Sequence, residues 1–129
     1  MSPPEPHWLE RAFILAVHER LLAEFGGGID LRDPNQLKAA LERPRQAFHD
    51  GVTALPELAA NYAGGIILGH PFIHGNKRTG FLAAIAFLEL NGLNFTATEP
   101  DAVLQTLALA ASELTEEQYC EWLERHSKE

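Results

Sequence analysis

Apolar residues recur at helical spacing along most of this chain. From Trp8 to Phe25 they fall at Leu9, Phe13, Ala16, Val17, Leu21 and Phe25, which predicts a first helix packed by that face. Gly26-Gly27-Gly28 predicts its stop, since glycine accepts the left-handed backbone that many helix ends need. Asp33-Pro34-Asn35-Gln36 marks the next start: Asp33 caps, Pro34 suits the first helical position and Gln36 stands at capping-box distance. Leu37, Ala40 and Leu41 face inward from there. Pro44 predicts the end of this short helix, because proline lacks an N–H and disfavours helical geometry at Arg43. The irregular run from Arg45 to Leu55 then reads as an exposed flap.

Pro56 opens a further helix with Leu58, Tyr62, Ile66 and Gly69 on one face. Gly64-Gly65 costs about 1 kcal/mol per glycine relative to alanine, which the close approach of a neighbouring helix would offset. Pro71 predicts extended geometry for His70 and places it at the exit of this helix. Asn76 to Leu90 is apolar on nearly all sides, the pattern of a helix surrounded by others, and Asn91-Gly92 ends it. In the short stretch from Leu93 to Ala97, Phe95 is the anchor of an extended link. Thr98 with Asp101 and Thr115 with Gln118 repeat the capping spacing. The helices they open carry Val103, Leu104, Leu107 and Ala111, then Tyr119, Trp122 and Leu123, as inner faces, while Glu116, Glu117 and Glu121 stay solvated. The pattern contains no repeat and no convincing sheet. It predicts an all-α fold, one domain over residues 1–129 built as a bundle of about six helices, with residues 1–6 as a surface-lying tail.

Charge narrows the range of partners. Eighteen acidic side chains against ten basic ones give a net charge of −8. That balance opposes a nucleic-acid backbone but leaves a small anion open to a few local cations. The longest apolar run, Phe81 to Leu88, falls short of the roughly 20 residues that cross a bilayer. Cys120 is the single cysteine, and Met1 to Trp8 lacks the basic and apolar regions of a signal peptide, so a cytoplasmic location is expected.

Chemistry concentrates in His70-Pro71-Phe72-Ile73-His74-Gly75-Asn76-Lys77-Arg78. Gly75-Asn76 at a loop-to-helix junction directs unpaired backbone N–H groups, backed by the helix dipole, at one spot where phosphates bind well. Lys77 and Arg78 in the first turn are unfavourable beside that positive helix end unless an anion offsets them. His70, just before the loop, carries the one type of side chain suited to accept a hydroxyl proton near neutral pH, so general base is its natural role. Phe72 plugs the loop into the core. Asn76 either holds the loop through its amide or contacts a phosphate. His70 and His74 stand four apart, a zinc-like spacing, but Pro71 and Gly75 interrupt a helix there and no Glu follows His70.

This run, continued by Thr79, resembles the signature of the Fic/Doc superfamily in its Doc ("death on curing") branch, whose pattern is His-x-Phe-x-Asp-(Ala/Gly)-Asn-Lys-Arg. Phe25-Gly26-Gly27, Leu31-Arg32-Asp33-Pro34, Leu41-Glu42-Arg43-Pro44 and Phe87-Leu88-Glu89-Leu90-Asn91-Gly92 are similar to Doc-branch segments in the same order. The resemblance implies an all-helical Fic fold and ATP-dependent transfer onto a hydroxyl of a target protein. In the Fic branch, which transfers AMP, a glycine stands where this chain has Lys77 and a second arginine where it has Phe81, so both differences point to Doc.

Doc-like proteins are implied to be toxins that phosphorylate elongation factor Tu, binding the nucleotide in the reverse sense to other kinases, until a cognate antitoxin masks the cleft. By the same resemblance His70 is the base, Lys77 and Arg78 join it in catalysis, and Gly75, Asn76, Lys77 and Arg78 hold phosphates. The segment from Arg45 to Leu55 is implied to dock a target. The family also implies Mg²⁺ at an acidic position, and that position here is His74, an imidazole poorly suited to a hard cation that prefers oxygen. AMP transfer, or a Fic-fold binding module whose catalysis His74 impairs, are the alternative expectations.

Overall fold

A computed structural model describes residues 4–24 and 30–129. Their helices are α1 (Arg11–Ala23), α2 (Pro34–His49), α3 (Leu55–Gly69), α4 (Asn76–Leu90), α5 (Glu99–Ala110) and α6 (Glu116–Arg125). Two short strands, β1 (Asn94–Phe95) and β2 (Ser127–Lys128), pair antiparallel with Asn94 opposite Lys128. The fold is all-α, as the periodicity predicts. Strands of two residues are too short to leave an alternating pattern in the sequence. The predicted stop at Gly26-Gly27-Gly28, with Phe25, lies outside the described residues. No described helix is long and apolar enough to cross a membrane.

α3 is the centre, packed by α2, α4 and α6. Leu58, Tyr62 and Ile66 are fully buried on its predicted face. Glycine lets the neighbours close in: a Cβ on Gly65 would stand 2.9 Å from Ala40 Cα of α2, and one on Gly80 of α4 would stand 2.6 Å from Ile67 Cγ1. Close helix packing therefore offsets the low helix propensity of Gly65.

α2 does not stop where proline predicts. It continues through Pro44 to His49, so the expected flap shrinks to residues 50–54. An internal proline generally costs about 3 kcal/mol through the lost hydrogen bond and the ring's clash. Here the inward stripe outlasts it: Leu37, Ala40 and Pro44 are buried, Ala47 and Phe48 pack on the core, and Phe48 meets Trp8 edge-on at 5.8 Å. At the helix start Asp33 caps as predicted, accepting from Asn35 N and Gln36 N. The Asp33 N–H bonds Pro71 O rather than the Gln36 side chain, which ties this helix start to the loop after α3.

Two predicted inner faces are rotated. In α1 the buried residues are Ile14 and His18, whereas Phe13 is 42% exposed, because the His18 ring packs against Phe72 of that loop. In α5 it is Ala102, Thr106 and Leu109 that are buried, and Val103, Leu104 and Leu107 face outward. Polar anchoring sets that orientation. Thr106 Oγ1 shares a hydrogen bond with Tyr119 Oη at 3.0 Å, and Asp101 accepts from the Trp122 indole at 2.8 Å, so these residues have to face α6. On α6, Thr115 and Gln118 complete the predicted capping box, Tyr119, Trp122 and Leu123 are buried, and Glu116 pairs with Arg43 of α2.

Candidate active site

The loop from His70 to Gly75 joins α3 to α4, and both of its ends are left-handed. His70, the C-cap of α3, has φ 50° and ψ 56°, and Gly75, the N-cap of α4, has φ 79°. The extended geometry predicted for His70 is therefore not adopted. Pro71 disfavours the right-handed helical region there, and the helix end takes the left-handed alternative, in which the His70 N–H still bonds Ile66 O at 3.2 Å. Arg32 fixes the turn from outside: its Nε donates to His70 O at 2.7 Å and its Nη2 to Gly69 O at 3.2 Å. At Gly75 the backbone angle, not space, requires glycine, because an added Cβ would meet nothing closer than His18 Cδ2 at 3.6 Å.

Residues 30–33 run antiparallel to the loop and hold it. Arg32 N and Asp33 N donate to Pro71 O, Ile73 N donates to Asp30 O, and Leu31 bridges Phe72. Phe72 is 1% exposed, the plug that its apolar character predicts, and it stacks on His18 with ring centroids 3.6 Å apart.

The Asn76 side chain holds the loop, the first of its two expected roles. It accepts from Phe72 N at 3.0 Å and donates to Phe72 O at 2.8 Å, and the residue is buried. A phosphate would meet its backbone N–H. That two-point hold fixes the amide orientation, so its other N–H faces His70 Nδ1 at 3.3 Å. In the neutral ring the lone pair then lies on Nδ1 and the proton on Nε2. To accept a proton from a substrate, His70 has to exchange this long contact with Asn76 for one with the substrate, or release it and change tautomer.

Behind the loop sits a buried carboxylate. Asp30 accepts from His74 N at 2.7 Å and from His74 Nδ1 at 2.9 Å. His18 Nε2 lies 3.1 Å from Asp30 Oδ2 and 2.9 Å from His74 O, and since both are acceptors it carries the proton between them. Burial alone would raise the Asp30 pKa. The hydrogen bonds from the His74 backbone and ring, with the charges of His74 and His18, outweigh that and hold the carboxyl below its ordinary value of 3.8. The His74 ring itself is 75% exposed.

Lys77 and Arg78 are exposed on the first turn of α4, which has no side-chain cap and no acidic residue. Its first N–H groups have no acceptor within the helix, so anion attraction by dipole and cations converges there. His70, Gly75, Asn76, Lys77 and Arg78 are thus gathered at one helix junction. To one side, Lys77 and Arg78 also border a groove of about 680 Å³ lined by Leu21, Phe81, Phe95 and Leu107. Asp30, His18 and Arg32 were not legible as site residues. Asp30 and His18 belong to no motif, and only the Leu31-Arg32-Asp33-Pro34 segment hinted that Arg32 mattered.

Residues 8–88, well over half the chain, match the Fic/DOC family. The chain belongs to the Fic/Doc family. The match contains α1 to α4 and the whole His70 to Arg78 loop, the part of the fold that builds the site. Among curated relatives, the Toxin Doc of Mycolicibacterium smegmatis (strain ATCC 700084 / mc(2)155) is 40% identical over 76 residues, covering 57% of this chain and 58% of that protein. The Protein kinase doc of Escherichia phage P1 is 27% identical over 113 residues, covering 87% of this chain and 89% of its own. Both relatives are Doc proteins, which places the chain on the Doc side of Fic/Doc, as Lys77 and Phe81 indicate.

Proposed function

We propose that this Fic/Doc chain is a Doc-type toxin that transfers the γ-phosphoryl group of ATP to a hydroxyl of a protein target, elongation factor Tu by analogy, in the cytoplasm, and that a cognate antitoxin restrains it. The observation that carries this reading is the junction itself: an exposed imidazole at the end of α3 and the uncapped, cation-bearing start of α4, held together by Asn76. In the proposed reaction the N–H groups of α4, with Lys77 and Arg78, bind the phosphates and offset the charge of the transferred group. His70 takes the proton of the attacking hydroxyl as the oxygen–phosphorus bond forms, and ADP leaves. The outward face of Val103, Leu104 and Leu107 is apolar surface of the kind that a protein partner covers, which is consistent with an antitoxin.

Mg²⁺, implied by the family, does not fit the donor at its position, since His74 offers nitrogen where that ion demands oxygen. Incubation with elongation factor Tu and ATP labelled at the α or the γ position tests the reading. Transfer of the γ label is expected, transfer of the α label would make the chain an AMP transferase, and transfer of neither with any divalent metal would leave a Fic-fold binding module.

A further inference from the structure

His18 is a buried imidazole, 5% exposed, to which the proposed reaction gives no part. It reaches from α1 onto the active loop. Its ring lies flat on Phe72, with 3.6 Å between centroids and 10° between planes, which fixes the plane in which its nitrogens point. Its Nε2–H is shared between Asp30 Oδ2 at 3.1 Å and His74 O at 2.9 Å, and the same Asp30 oxygen accepts from His74 N at 2.7 Å. Both backbone polar groups of His74 are therefore held from behind, the N–H by Asp30 and the carbonyl by His18.

The hold on the carbonyl decides where the next N–H points. No peptide bond among the described residues is cis, and a trans peptide directs its C=O and N–H to opposite sides. With His74 O turned inward to a buried ring, the N–H of exposed Gly75 is turned outward. Gly75 is left-handed, with φ 79° and ψ 12°, and Asn76 begins the right-handed α4. Successive residues of opposite hand curl their N–H groups into one anion-binding concavity, so Gly75 N–H joins those of Asn76 and Lys77. Without the His18 proton, His74 O and Asp30 Oδ2 would be two acceptors sharing a buried gap. That favours turning the carbonyl out to water and the Gly75 N–H in.

We infer that His18 is a positioning residue of the active site: its Nε2–H holds the 74–75 peptide carbonyl inward, so that the Gly75 N–H completes the cradle for a bound phosphate. This role rests on the phosphate-binding reading proposed above. It gives α1 control of one anion donor, although His18 itself stays buried behind the loop.

The test titrates inorganic phosphate into the full chain and into His18→Gln, His18→Asn and His18→Phe, following the Gly75 amide by NMR. Glutamine brings an N–H to the position of Nε2, asparagine falls short of it, and phenylalanine keeps the stack on Phe72 but has no proton to give. Expected is a phosphate affinity within about threefold of wild type in His18→Gln and about tenfold lower in the other two, the worth of one hydrogen bond to a charged acceptor. The Gly75 amide should respond to phosphate in wild type and His18→Gln only, and transfer of the γ label from ATP should follow the same order. A role in packing alone predicts the reverse, since phenylalanine preserves the ring stack that glutamine gives up. If His18→Phe folds poorly, the glutamine and asparagine variants still decide. Wild-type affinity and Gly75 response in folded His18→Asn or His18→Phe would overturn the positioning role, as would equal losses in His18→Gln and His18→Asn. Phosphate binding to wild type with no change at Gly75 would also overturn it, and each of these results leaves the anion site standing. Absence of phosphate binding to wild type would overturn both.

Discussion

Asp30 accepts from the backbone and the ring of His74, 44 positions away, so one buried carboxylate sets both the path of the active loop and the direction of its exposed imidazole. Asp30→Asn must turn an NH₂ group toward at least one donor now facing oxygen, which should cost about 1–3 kcal/mol at pH 7. Since the folded pKa lies below the ordinary value of 3.8, this stabilisation is present above the unfolded pKa and is lost as pH falls through the folded one. Denaturant titrations at several pH values should show a gap between wild type and Asp30→Asn that narrows in acid, where Asp30 becomes protonated.

His70 combines a proposed chemical role with an uncommon backbone conformation, φ 50°. Replacing it with alanine or glycine should lower label transfer by at least about 100-fold, because either change removes the proton acceptor. Stability should separate the two. Glycine adopts the left-handed region without penalty, so His70→Gly should exceed His70→Ala by about 1 kcal/mol in chemical denaturation. Equal stabilities would mean that the left-handed turn does not persist in solution.

Arg32 holds two carbonyls at the end of α3 with one guanidinium. Arg32→Ala should cost about 1 kcal/mol, a modest loss because the side chain is exposed. It should reduce the rate of transfer more than the affinity for ADP, since the released turn carries His70 and not the start of α4. Arg32→Lys should rescue little, because an ammonium does not reproduce the planar fork. Full recovery of rate in the lysine variant would count against this positioning role.

Adjacent glycines in α3 should respond differently to alanine. A Cβ on Gly65 meets Ala40 Cα at 2.9 Å, where backbone has to move, whereas one on Gly64 meets only the ends of the Glu116 and Arg43 side chains. Gly65→Ala should destabilise by about 1–3 kcal/mol despite its better helix propensity. Gly64→Ala should fall within about 1 kcal/mol of wild type, since the displaced pair is partly exposed. Thermal melts of the two variants would check the order.

Much of the fold was legible because its signals are local. Asp33 and Thr115 cap helices within three residues of themselves, α3 buries the face that its periodicity marks, and the His70 to Arg78 run names the family. Local rules failed where distant packing outweighed them. Pro44 stays inside α2 because the apolar stripe on either side of it is buried, and Val103, Leu104 and Leu107 face outward because Thr106 and Asp101 are anchored to α6.

By itself the sequence determined an all-α chain with one chemical loop between two helices, and the imidazole, amide and cations within that loop. Only the tertiary structure decided how they stand. It turned His70 left-handed under Arg32, committed the Asn76 amide to Phe72, and brought Asp30 and His18 behind His74. The physical reason is separation along the chain: Arg32, Asp30 and His18 lie between 38 and 56 positions from the His70 and His74 groups they bond, and only the packing of α1 and of residues 30–33 against the loop brings them within hydrogen-bond distance.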